Sequence, residues 1–159
     1  MNDQSMQSIV DEVVKQIKLP QDMTLQTALA LAEKVKQKAS EMGVKAVVAI
    51  SNRAAHPILV ESMDDAYIAS YDVALQKAFT VVSLKMSTSD LKPLAQPGGS
   101  LYGIQFTNNG KIVIFGGGEP LKNAAGQIIG GLGVSGGTEE QDTALAAFGK
   151  DFFIKELSK

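Results

Sequence analysis

Cysteine is absent from the chain, and histidine occurs once, as His56. Without thiols there is no disulfide, no thiolate nucleophile, no iron–sulfur cluster and no cysteine-ligated zinc. A single imidazole also excludes a polyhistidine metal site within one subunit. No apolar run reaches the roughly 18 residues needed to span a bilayer, so a membrane partner is not expected. Positive charge is not in excess either. Fifteen Lys and Arg stand against 17 Asp and Glu, a net charge of −2, which leaves no basic footprint for nucleic acid. The first residues, MNDQSMQSIVDEVV, are acidic and amphipathic. A secretory leader is basic and then apolar, so the expected location is cytoplasmic.

What remains is an ordinary globular composition, 45% hydrophobic and 20% charged in 159 residues, about one domain. Met6, Ile9, Val10, Val13, Val14 and Ile17 fall on one side of an amphipathic helix that Pro20 ends. Residues 1–20 therefore read as a separate segment, ahead of a domain over 21–159. Thr24 is placed to cap a second helix running to Met42, with Gly43 as its C′ residue. Val44–Ser51 and Pro57–Met63 read as two antiparallel strands joined by Asn52–His56. Asp64 and Asp65 are expected to cap a long helix from Ala66 to Lys85, and Ser87 or Thr88 a short one reaching Ala95.

Glycine marks the second half: all but one of the 15 glycines lie beyond residue 97. Between them, Leu101–Phe106 alternates like a strand, Asn109-Gly110 signals a tight turn, and Lys111–Phe115 reads as a strand ended by Gly116-Gly117-Gly118. Asn123–Gly126 supplies another turn. Gln127–Ser135 is a glycine-rich strand whose glycines imply close approach of a backbone or ligand. Thr138 with Gln141 fits a capping box for a last helix, Glu139 to about Leu157. Hairpins prevail over βαβ units, so the expectation is an α+β fold with a largely antiparallel sheet.

Several residues are candidates for chemistry, each with a plainer reading. His56 is suited to be an axial metal ligand, or is a solvated turn residue held extended by Pro57. Met63, Tyr67 and Lys77 are side chains able to meet a flat apolar ligand or its iron, or are core and interface residues. Asp64 and Asp65 are explained by capping alone, and Asp72 and Lys77, five apart, are not a standard helical pair. Gly136 and Gly137 open a helix and could offer amides to an anion, although no dinucleotide or Walker pattern is present. No catalytic triad is spaced in the chain.

Taken together, SMDDAYIASYDVALQKAFTVVSLKMST and KIVIFGGGEPLKNAAGQIIGGLGVSGGTEEQD resemble the haem-binding GlcG/HbpS family. The KMST and PGGSLYGI segments are most similar to the C-terminal domain of PduO-type proteins. The resemblance covers about Met23 to Phe153. Ser62 and Asp65 stand where the family's RMDGA motif has arginine and glycine, and Asn52 and Ala55 depart from its D-x-x-G-x turn. His56 matches a GHP variant of that turn. The resemblance implies an α-β-α sandwich around a mainly antiparallel, about five-stranded sheet, homo-oligomeric assembly and a haem or related tetrapyrrole cofactor. His56, Met63, Tyr67, Lys77, Gly136 and Gly137 are then the cofactor-binding candidates, with His56 on the metal.

The expected role is an accessory haem-binding protein tied to bacterial microcompartments or cobalamin-dependent diol metabolism. The first helix is similar to encapsulation peptides, making a shell protein a partner for residues 1–20. There is no room for the corrinoid adenosyltransferase domain of full-length PduO proteins, so that activity is not expected. Two alternatives stand beside this role: an enzyme acting slowly on haem or a small oxygenated metabolite, and a structural cargo protein without ligand.

Overall fold

The structure is a computed structural model that describes residues 3–16 and 22–158. Helix α1 (Asp3–Gln16) carries the predicted stripe, with Met6, Ile9, Val10 and Val13 about half exposed. The break expected at Pro20 lies outside the described residues. Helix α2 (Leu25–Glu41) begins at Thr24, whose hydroxyl accepts the Thr27 amide at 3.1 Å. It ends as Gly43 turns to φ +70°.

Strands β1 (Val47–Asn52) and β2 (Pro57–Ser62) form the expected antiparallel hairpin. Helix α3 (Ile68–Leu84) and the short helix α4 (Thr88–Leu94), capped by Ser87, follow. Strands β3 (Gly118–Lys122) and β4 (Ile128–Ser135) and helix α5 (Glu139–Phe152) complete the fold. Both halves of the capping box at Thr138 and Gln141 are made, and a π-helical turn, Phe153–Leu157, carries the chain on.

Among the described residues the sheet has four strands in the order β2-β1-β4-β3, every neighbouring pair antiparallel. Helices α2 and α5 cover one face and α3 the other, the expected α-β-α sandwich with one strand fewer. Strand alternation divides the core. Val48, Ile50, Leu132 and Val134 meet Leu31, Val35, Leu145 and Phe153, whereas Val47 and Ala49 meet Ala74 and Ala78 of α3. Helix α3 lies directly on β4. A Cβ at Gly133 would stand 2.0 Å from the Ala74 carbonyl oxygen, and one at Gly131 2.5 Å from that of Ala78. The close approach expected at these glycines is therefore that of a backbone.

Three expectations are corrected. Leu101–Phe106 is not a strand but a series of turns with a 3-10 turn at Ile104–Phe106. Lys111–Phe115 is not a strand either, although Ile112 and Val113 are buried. The Val113 amide donates to Thr80 Oγ1 at 3.0 Å, and the same hydroxyl lies 3.3 Å from the Lys111 carbonyl. A β-branched run reports a fit to a buried surface, and here α3 supplies that surface in place of a neighbouring strand. The outer strand is instead GEPLK, a poor strand former, and Pro120 is tolerated there because β3 is an edge.

The third correction is at the start of α3. Asp64 and Asp65 do not cap it: the N-cap is Tyr67, without a side-chain bond. Asp65 takes φ +65° in the turn closed by the Ala66 amide on the Met63 carbonyl. Asp tolerates that left-handed conformation better than most residues. It is also the position where the resembling family's motif carries glycine.

Candidate functional site

The candidate residues separate to the two ends and the middle of α3. Strand β2 carries the chain from Pro57 to Ser62, about 17 Å at the rise of a strand. His56 therefore lies at one end of the sheet, while Met63 and Tyr67 lie at the other. One haem iron cannot touch His56 and Met63 or Tyr67 of the same subunit.

At the Tyr67 end, a groove of about 460 Å³ is lined by Lys45, Asp65, Tyr67, Gly136, Thr138 and Gln141, among others. Gly137 also lines it. Lys45 is shared with a second hollow of about 570 Å³ that includes Met63, Glu33, Glu61 and Asp64. The structure thus brings Met63, Tyr67, Gly136 and Gly137 into one neighbourhood, a polar one of mixed charge in which Lys36 pairs with Glu33 and Glu61. Met63 is half-buried, its sulfur accepting the Ala46 amide at 3.4 Å. Two amides at the helix start expected to be open to an anion are in use. Gly137 donates to Asp142 Oδ1 and Thr138 to Gln141 Oε1, both at 2.9 Å.

Lys77 sits in the middle and has no exposed surface. Its ammonium donates to the Val134 carbonyl at 2.8 Å and to Asp142 Oδ2 at 3.0 Å, and lies 5.0 Å from the centre of the Phe115 ring. Gly117, at φ +110°, passes so close that a Cβ there would fall 2.6 Å from Nζ. Burial pushes the Lys77 amine below its ordinary range, against the opposing pull of Asp142. This arrangement ties α3, β4 and α5 together, and every donor direction faces protein. Asp142 was not singled out in the sequence. The burial of Lys77 was legible, since 74, 77, 78 and 81 share one helical face.

Beside this pair, Glu139 accepts the Gly116 amide at 2.9 Å and also pairs with Lys92. The Gly116 hydrogen bond first, and Lys92 second, hold its carboxyl below the usual carboxylate range.

At the His56 end the chemistry differs. The Asn52 side chain accepts the His56 amide at 3.0 Å, closing the hairpin tip and leaving the residue exposed. The flanking Ala55 and Pro57 line a cavity of about 170 Å³ with Leu75, Gln76, Phe79 and Lys111. Its walls are mostly apolar and carry no carboxylate. The Lys111 ammonium lies 5.5 Å from the centre of the Phe79 ring. Phe79, Gln76 and Lys111 were missed in the sequence, because the 111–115 segment was read as a strand and its place against α3 was unknown. No group of three or more potential metal ligands occurs among the described residues.

The model of the HbpS-like family, described as haem degrading protein HbpS-like, matches residues 23–150. The chain belongs to the HbpS-like family. Within it, an uncharacterized 15.0 kDa protein from the dhaT-dhaS intergenic region of Citrobacter freundii is 44% identical over 131 residues. That alignment covers 82% of this chain and 92% of the relative. The corrinoid adenosyltransferase PduO of Salmonella typhimurium is 40% identical over 110 residues, which cover 69% of this chain. The chain spans about a third of that protein's length, 32%. Among solved structures, the PduOC:heme complex superposes with a TM-score of 0.79 at 34% identity, covering 82% of this chain and 94% of the other. Helix α1 precedes the segment matched by the HbpS-like family.

Proposed function

We propose that this chain is a haem-binding accessory protein, serving cobalamin-dependent diol metabolism within a bacterial microcompartment. The observation that carries the haem reading is the likeness to the PduOC:heme complex along nearly the whole of that chain. The haem site is assigned to the His56 end. Haem needs an apolar wall for its ring, a ligand for its iron and cations for its two carboxylates. Pro57, Leu75 and Phe79 supply the wall, Lys111 the cation, and the exposed imidazole of His56 the axial nitrogen. The Tyr67 groove suits haem less well, since polar groups outweigh apolar ones in its lining and in that of the adjoining hollow, which leaves less wall for the ring.

Compartment targeting is assigned to α1, whose apolar stripe is half exposed and which lies outside the family match. Such a stripe fits a hydrophobic groove on a partner. Deleting residues 1–20 is expected to abolish co-localisation with shells; unchanged co-localisation would refute the assignment.

Haem titration followed by absorbance tests the main reading. Wild type is expected to give a saturable Soret shift, and His56→Ala to lose it. A shift retained in His56→Ala would move the iron ligand elsewhere. No shift in wild type would refute haem binding and leave a cargo protein without ligand.

A further inference from the structure

Three irregularities of the backbone meet around one hollow that the haem reading leaves unused. Lys85 closes α3 in the left-handed conformation, at φ +58° and ψ +31°. Glycine is the residue that adopts this conformation without penalty. In the sheet, the β3–β4 register shifts between Leu121 and Lys122. Such a bulge at a sheet edge re-aims the side chain beside it. The chain then leaves α5 through the π-helical turn Phe153–Leu157, a rare conformation that recurs at functional sites. Lys85, Lys122 and Ile154, one from each irregularity, line the same hollow of about 250 Å³. It has no described lining residue in common with the cavity beside His56.

The other walls sort by chemistry. Lys150 supplies a third ammonium, held at 2.8 Å by Glu119, whose side chain is 10% exposed. Lys85 and Lys122 have no ion pair among the described residues. Asp90 is the one other carboxylate among the described lining residues, so three ammonium groups face two carboxylates. The hollow is thus locally positive in a chain of net charge −2. Met86 and Pro120 join Ile154 in an apolar wall, and Ile154 is 50% exposed. The space is smaller than the roughly 300–1,000 Å³ of pockets for drug-sized molecules. A cation at the end of α3 is favoured by the helix dipole, but the dipole does not call for a lysine in the left-handed position itself.

We propose that this hollow binds a short-chain monocarboxylate, its carboxylate held by Lys85 and Lys122 and its alkyl chain laid on Met86 and Ile154. The excess of one positive charge in the lining matches a monoanion. A phosphate dianion would meet more repulsion from Asp90 and Glu119, and inorganic phosphate would leave the apolar wall uncovered. The site is independent of haem, and loss of the haem reading leaves it standing.

Ligand-observed saturation-transfer NMR with the full chain at neutral pH tests the site, with butyrate as the probe. Wild type is expected to give a saturable butyrate signal, a weaker one with acetate, which lacks the chain, and none with butylamine, which reverses the charge. Lys85→Gly removes an ammonium and relieves the left-handed residue. It is expected to keep a Tm no lower than wild type while weakening butyrate binding about tenfold, the scale of one charged hydrogen bond. Lys122→Gln is expected to weaken it similarly. Lys34→Gln, on the exposed surface of α2, makes the same change in net charge and is expected to bind as wild type does. The proposal is overturned by absence of a saturable butyrate signal, or by butylamine binding as well as butyrate. Inorganic phosphate displacing butyrate more readily than acetate does would overturn the monocarboxylate assignment. Wild-type affinity in Lys85→Gly or Lys122→Gln, or an equal loss in Lys34→Gln, would overturn the location.

Discussion

Replacing Lys77 by methionine removes a charge of similar shape from the centre of the fold and leaves its partners behind. The Asp142 carboxylate, whose side chain is 5% exposed, keeps one bond, to the Gly137 amide, but loses the ammonium on Oδ2. The Val134 carbonyl loses its 2.8 Å donor as well. Breaking one side of a buried ion pair costs about 3–5 kcal/mol, because an uncompensated charge remains. For a chain of this size that corresponds to a fall in Tm of roughly 6–20 °C. Lys77→Met/Asp142→Asn removes both charges while keeping an acceptor for Gly137, so it is expected to recover a large part of the loss. Urea denaturation followed by far-UV circular dichroism measures both variants. A loss below about 1 kcal/mol for Lys77→Met, the scale of an exposed pair, would refute the reasoning. So would a double variant whose loss equals the sum of the singles. The pH dependence gives an independent check. Burial holds the native amine below its ordinary value of 10.5, so between those two values the unfolded chain binds more protons than the native one. Stability therefore rises with pH across that window in wild type. Lys77→Met lacks the contribution, and its deficit is expected to widen as pH climbs toward 10.5.

Three further outcomes follow from the packing of α3 and the loop beside it. Gly133→Ala puts a methyl 2.0 Å from the Ala74 carbonyl oxygen, forces α3 off β4, and is expected to cost at least about 1–3 kcal/mol by thermal denaturation. Thr80→Val leaves the buried Val113 amide without its acceptor; a loss of about 1–3 kcal/mol is expected, with faster hydrogen exchange at Val113. Glu139 has a native pKa held below 4.5, so its contribution is present above that pH and is lost as pH falls through the depressed native value. Glu139→Gln is accordingly expected to be less stable than wild type at neutral pH and to converge with it in acid; a constant difference across the titration would contradict the assignment.

Sequence alone determined the elements whose signals are local. The Thr24 cap, the Gly43 stop, the β1–β2 hairpin and the Thr138–Gln141 capping box each depend on side chains acting within a few residues of themselves. The pattern of helices and hairpins was enough for an α+β fold with a largely antiparallel sheet, and the motifs were enough for the family and the sandwich its resemblance implied. Only tertiary structure decided where the fourth strand lies. KIVIF has the stronger strand composition, but Thr80 and the surface of α3 take up its polar and apolar groups. GEPLK pairs with β4 because an edge position tolerates proline. The candidate site was legible by residue type but not by grouping. His56, Met63 and Tyr67 lie within a dozen residues of one another, yet strand β2 holds the first far from the other two. Phe79 and Lys111, far apart in sequence, meet beside His56 through the packing of a loop on a helix. Local propensity carries no information about such encounters, because they are fixed by which buried surfaces fit together.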